Sequence, residues 1–134
     1  MSGNFLDTNI LLYVLSSDLA KAERAAAILR EGGTVSVQVL NEFAHVAHRK
    51  MEMSWGEVRS ALETVRALVA VRPLTPEIHQ HGITLAERHG FSLWDAMVVA
   101  SAIEAGCDRL WSEDFQNGME IDHRLTIANP FSGR

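Results

Sequence analysis

Within its first fifteen residues the chain passes from a short apolar run, Asn4-Phe5-Leu6, through Asp7 into an apolar segment with helical spacing. Ile10, Tyr13 and Val14 fall on one helical face, and Leu11, Leu12 and Leu15 widen it. A first strand therefore gives way to a first helix at Asp7. In open α/β sheets ligands bind just there, outside the carboxyl ends of the strands. Asp is also a favoured helix cap, so both readings of Asp7 stand at this point.

The same alternation continues along the chain. A helix is expected from Ser17-Asp18 to about Arg30, ended by Gly32-Gly33. Thr34-Val35-Ser36-Val37 is β-rich, and a helix follows from about Gln38 to Lys50, with Val39, Phe43, Val46 and Ala47 on one face. Ser54-Trp55-Gly56-Glu57 matches a capping box and opens a helix to about Ala67. Val69-Ala70-Val71-Arg72 is a third strand, stopped by Pro73. Thr75-Pro76 starts a helix that ends at Gly90. Ser92 starts another, apolar all round from Ala96 to Ile103 and therefore buried. Asp108–Trp111 and Leu125–Ala128 are the last strands, with a turn at Asn117-Gly118. Alternating strands and helices imply βαβ units. The expectation is one α/β domain over residues 1–134: three layers, a central parallel sheet of four to five short strands, and helices on both faces.

With 134 residues the chain can bury a substantial core. No apolar run is long enough to span a bilayer, no signal-peptide pattern opens the sequence, and a lone cysteine, Cys107, rules out an internal disulfide. A cytoplasmic protein is expected, with no membrane association. The net charge is −5 and the arginines are scattered, so composition supplies no basic footprint for nucleic acid. A polyanionic substrate would need metal ions or a partner to supply positive charge.

Four acids fall at equivalent places. Asp7 follows the first strand, Glu42 lies in the helix after the second, Asp95 opens the buried helix, and Asp114 follows the fourth strand. In a parallel sheet these junctions share one end. Each has a plainer reading: Asp7 as a cap, Asp95 as an acid on a helix dipole, Asp114 as a turn former and Glu42 as a solvated acid. Together they repel, and several carboxylates in one cleft cannot all stay ionised without cations. Mg²⁺ or Mn²⁺ answers that need, polarising a phosphoryl oxygen and activating water.

Phe5-Leu6-Asp7-Thr8-Asn9, Asn41-Glu42, Leu93-Trp94-Asp95-Ala96 and Ser112-Glu113-Asp114 resemble the four acidic motifs of PIN-domain ribonucleases. The resemblance is nearest to VapC-type toxins of type II toxin–antitoxin pairs. Motif order, spacing and chain length agree over nearly the whole chain. The resemblance implies a PIN-like fold and an endoribonuclease that uses Mg²⁺, or Mn²⁺ in its place. It implies metal ligation by Asp7, Asp95 and Asp114, Glu42 completing the site, and support around them from Thr8, Asn9 and Ser112. It further implies an RNA substrate, a small VapB-like antitoxin and a homodimer. One position departs from the pattern: many members place another acid where this chain has Gln116, an amide that can reach a metal but brings no charge. A second tightly held metal is therefore doubtful.

Other readings are weaker. His45 and His48 stand three apart near Glu42, but zinc needs three or four ligands and no third is spaced to join them. A structural or substrate-edge role is expected. Met51, Met53 and Trp55 are expected to pack between helices, as is Cys107. A haloacid-dehalogenase phosphatase wants Asp-x-Asp where this chain has Asn9, and both it and a receiver domain want a lysine after a late strand. The lysines are Lys21 and Lys50. The remaining alternatives are a PIN-like binder of RNA or a partner without catalysis, and a housekeeping PIN nuclease without an antitoxin.

Overall fold

The computed structural model describes residues 3–132, so residues 1, 2, 133 and 134 of the expected domain lie outside the described ones. The elements in order are β1 (Asn4–Leu6), α1 (Thr8–Tyr13), α2 (Leu19–Arg30), β2 (Thr34–Ser36), α3 (Val37–Arg49), α4 (Trp55–Leu68), β3 (Ala70–Arg72), α5 (Pro76–His89), α6 (Leu93–Glu104), β4 (Arg109–Trp111), β5 (Glu120–Ile121) and β6 (Leu125–Ala128). Side-chain oxygens of Asp7, Asp18, Ser36, Ser54, Thr75 and Ser92 accept from the first turns of the six helices, which explains where each begins. The expected capping box of Ser54 and Glu57 forms in both directions, and Gly90 ends α5 at φ 74°.

The strands form one sheet in the order β3-β2-β1-β4-β6-β5. Neighbours from β3 through β6 are parallel, and β5 is antiparallel to β6. From β1 the chain steps to β2 and then β3 on one side, and then crosses back to β4 on the other. Right-handed crossovers place α1 to α4 on one face and α5 with α6 on the opposite face. The packing agrees: α1 contacts α2 and α3, α4 contacts α2 and α3, and α5 lies along α6, which rests on β2 and β4. Phe5, Leu6, Val35, Leu110 and Ile127 are fully buried between the layers. Every residue of α6 from Ala96 to Ile103 is buried, as its all-round apolar character requires. No helix among the described residues is long and apolar enough to cross a membrane.

The C-terminal part departs from the expected alternation. No helix joins β4 to β6, and among the described residues a sixth, antiparallel strand is added at the edge of the five parallel ones, which are within the expected four to five. The extra strand is a two-residue edge, too short to show period-two patterning. Its turn to β6 places Asp122 and His123 at φ 53° and 55°, without the Asn-Gly signal of a tight hairpin. Arg88 at the end of α5 reaches Asp122 at 3.2 Å and holds this turn down.

Met51 and Trp55 are also not the core residues expected. Met51 is 38% and Trp55 56% exposed; Trp55 stacks on His48 at 3.8 Å between centroids, and His48 Nδ1 lies 2.9 Å from the Met53 carbonyl. The α3–α4 connection is short, and Glu52 turns it with φ 57°, which leaves these side chains outside the layers. Cys107 is buried, as expected.

Candidate active site

The sheet reverses its winding between β1 and β4, and this topological switch point is where such sheets open a crevice. The Asp7 N–H still bonds the Trp111 carbonyl at 3.0 Å, so Asp7 ends β1 in register with β4. It also caps α1, its Oδ1 accepting from Thr8 N at 2.7 Å. Both readings of Asp7 are therefore realised in one residue. Its carboxylate is 3% exposed and also accepts 2.7 Å from Ser112 Oγ.

Burial is the main influence on Asp7 and raises its pKa to about 7. The Ser112 and Thr8 donors oppose the rise, and the charges of Asp114 and Asp95 add to it. Asp95 sits at the third position of α6, where its backbone N–H bonds the Ser92 cap at 3.2 Å. Its pKa is also raised, by partial burial first and Asp114 next, against the Ser92 hydrogen bond, with Glu42 adding to the rise. Glu42 Oε1 accepts 2.9 Å from Thr8 Oγ1, which ties α3 to the start of α1. Asp114 is exposed, and its N–H bonds Ser112 Oγ at 3.0 Å. The four acids thus come from four separate elements to one end of the sheet.

Ser112 is the hub: it donates to Asp7, accepts from Asp114 N, and lies 3.5 Å from Asn9 Nδ2. Asn9 Oδ1 in turn accepts from Glu113 N at 3.3 Å. Sequence reasoning missed one more tie, the 3.0 Å bond from the Tyr13 hydroxyl to Glu113 Oε1. Asn9 and Tyr13 are four apart on α1 and share a face, a spacing that could have shown them gripping one loop. Gln116 is exposed and is not among the residues that wall the cleft.

A cleft of about 570 Å³ opens beside the group, walled by Thr8, Asn9, Leu12, Gln38, Asn41, Glu42, His45, Val46, Trp94 and Asp114, so that Glu42 and Asp114 of the four acids line it. His45 is therefore at the cleft edge, while His48 is committed to Met53 and Trp55. Among the described residues, no three His, Cys, Asp or Glu side chains are placed to hold a metal ion as they stand. The donor chemistry still fits a hard divalent cation. The ion pairs among the described residues lie elsewhere, at Arg88–Asp122, His89–Asp122 and His123–Glu120, so the four acids have no side-chain cation to offset them. The ligands on offer are carboxylates, with hydroxyl and amide oxygens behind them, as Mg²⁺ and Mn²⁺ prefer.

The PIN domain family model matches residues 5–116. No curated protein sequence matches the chain. Among solved structures, the chain is similar to a toxin–antitoxin complex from Klebsiella pneumoniae, at 16% identity and a TM-score of 0.74 over 96% of this chain and 98% of that one. It is similar to Mycobacterium tuberculosis VapC20, a sarcin–ricin loop cleaving toxin, at 18% identity and 0.71 over 90% and 98%. It is also similar to VapBC2 from Rickettsia felis bound to promoter DNA, at 16% identity and 0.67 over 94% and 97%. At such identities the likeness is one of fold.

Proposed function

The chain belongs to the PIN domain family, and from that premise we propose that it is a divalent-metal-dependent endoribonuclease serving as the toxin of a toxin–antitoxin pair. The observation that carries the reading is the uncompensated acid group at the switch point. Asp7 is almost wholly buried with a pKa near 7, pressed by Asp114 and Asp95, and Asp95 is pressed by Asp114 and Glu42. Stability alone gives no reason to gather such charges.

In this reading Asp7, Asp95 and Asp114 hold Mg²⁺ or Mn²⁺, with Glu42 completing the set. The ion supplies Lewis acidity at a phosphoryl oxygen and a lowered pKa for water. Ser112 and the Thr8 N–H favour the ionised form of Asp7 and fix its orientation. The Thr8 hydroxyl holds Glu42 at the cleft wall, where its free oxygen can orient the attacking water and take its proton. Attack at phosphorus breaks the P–O3′ bond and leaves a 5′-phosphate and a 3′-hydroxyl.

The toxin role is supported by the fold-level neighbours, two of which are toxin–antitoxin assemblies. The net charge of −5 and the acid-lined cleft suit a basic antitoxin segment whose Arg or Lys reaches the carboxylates and displaces metal. Its association rate should fall as salt rises.

The test is cleavage of a panel of structured RNAs by purified protein with Mg²⁺ or Mn²⁺ and with EDTA, with end-group analysis. A cyclic 2′,3′-phosphate, or full activity in EDTA, overturns the mechanism. Co-expression with the adjacent open reading frame tests the toxin role. Cleavage without a co-purifying partner or any effect on growth leaves a PIN nuclease with another role.

A further inference from the structure

We propose that Trp94 is a stacking platform for one unpaired nucleobase of the RNA, beside the bond to be cut, with the Asn41 amide facing that base's edge. The inference deepens the reading above and rests on it. Trp94 is 66% exposed, an unusual place for the largest apolar side chain, yet it walls the same cleft as Glu42 and Asp114. It directly precedes Asp95, so its backbone is anchored at the start of α6. Gln38 Nε2 donates to its carbonyl at 3.2 Å and ties that backbone to the start of α3. The apolar area is thus held in place rather than left on a mobile loop. Asn41, one residue before Glu42, also walls the cleft, and its side-chain amide makes no hydrogen bond to other described residues.

The nuclease reading selects the occupant, and charge selects how it is held. With net charge −5 and Glu42 and Asp114 on the cleft wall, pairing of phosphates with the chain's own side chains cannot supply the affinity for RNA. Stacking on an aromatic face can, because every base has a π-face, and an amide can read a base edge. The substrate implied is single-stranded RNA or a loop whose base can be turned out of the helix.

The test uses Trp94→Ala and Trp94→Phe in an Asp7→Asn background that keeps RNA intact, together with kinetics of the same substitutions in the active protein. The chain has three tryptophans, so binding a single-stranded oligoribonucleotide should quench part of the intrinsic fluorescence. That quench should vanish in Trp94→Phe and persist in Trp55→Phe. Trp94→Ala should weaken RNA binding about five- to a hundredfold, mostly through KM, and Trp94→Phe should restore most of it. An abasic nucleotide at one position next to the cut should produce the same loss in the parent and no further loss in Trp94→Ala. If Trp94→Ala binds and cuts RNA like the parent, the inference fails and the nuclease reading survives. A variant that cuts normally but no longer retains a co-expressed protein partner makes Trp94 a protein-docking residue and also overturns it. If the unsubstituted protein cleaves no RNA in Mg²⁺ or Mn²⁺, both readings fall together.

Discussion

Ser112 Oγ donates a 2.7 Å hydrogen bond to Asp7 Oδ2, joining the ends of two adjacent strands that are 105 residues apart in sequence. The same oxygen accepts from the Asp114 backbone, so one hydroxyl sets the spacing of two of the four acids. Ser112 is completely buried.

Replacing Ser112 with Ala should therefore act twice. The orphaned Asp114 N–H and the lost Asp7 contact should lower stability by about 1–3 kcal/mol. Losing a donor to the ionised carboxylate should raise the Asp7 pKa further and weaken Mn²⁺ binding at neutral pH. Denaturant melts and a metal titration measure the two effects. Unchanged metal affinity would show that Ser112 does not tune Asp7.

Asp7→Asn and Asp95→Asn should each abolish RNA cleavage while the metal-free protein stays as stable as the parent or becomes more stable. Each swap keeps the shape and removes a charge that burial and neighbouring acids disfavour. Thermal melts in EDTA and cleavage assays in Mn²⁺ check both halves. Near-parental cleavage with normal metal affinity in either variant means that the site is elsewhere.

Without metal, stability should fall as pH rises from about 4 to about 7. Asp7 is protonated in the folded chain up to about pH 7, whereas its ordinary value is 3.8. The unfolded chain sheds this proton first, so its contribution is whole below pH 4 and is lost as pH climbs through 7. The difference is on the order of 4 kcal/mol, and Asp95 acts in the same direction. Asp7→Asn should flatten the profile, and saturating Mn²⁺ should reverse it above pH 7. A profile that is steepest above pH 8 contradicts the assignment.

Gly33 stands at φ 151°, and a Cβ there would lie 2.9 Å from the Asn4 carbonyl oxygen and 2.8 Å from Leu6 Cδ1. The backbone of β1 cannot give way without moving Asp7. Gly33→Ala should cost roughly 2–4 kcal/mol, from the disfavoured backbone and crowding of the core. It should also slow cleavage per folded molecule to the extent that β1 shifts and carries Asp7 with it. Chemical denaturation measures the first, and activity per folded molecule the second.

Much of the fold was legible because its signals are local. Apolar periodicity, the Ser54 capping box, the Ser92 and Thr75 caps and Gly90 each act within one or two turns, and the structure uses all of them. The hairpin at Asp122-His123 was not legible, because its strand is two residues long and Arg88 and His89 from α5 help hold its turn. Trp55 looked like core because it is apolar, but only the path of the α3–α4 connection leaves it facing solvent.

The sequence by itself determined where strands yield to helices, and so placed Asp7 and Asp95 at helix starts, Glu42 in the second turn of α3 and Asp114 just after β4, positions that a parallel sheet brings to one end. Tertiary structure alone decided how those acids are held. Strand order put β4 beside β1, so Ser112 could bond Asp7 across the switch point and Asn9 and Tyr13 could grip the loop carrying Asp114. It also decided that Asp7 is sealed from water while Trp94, next to Asp95, is left open to it. Local propensity depends on neighbours along the chain. Desolvation and charge coupling depend on neighbours in space, and the order of the sheet chooses those.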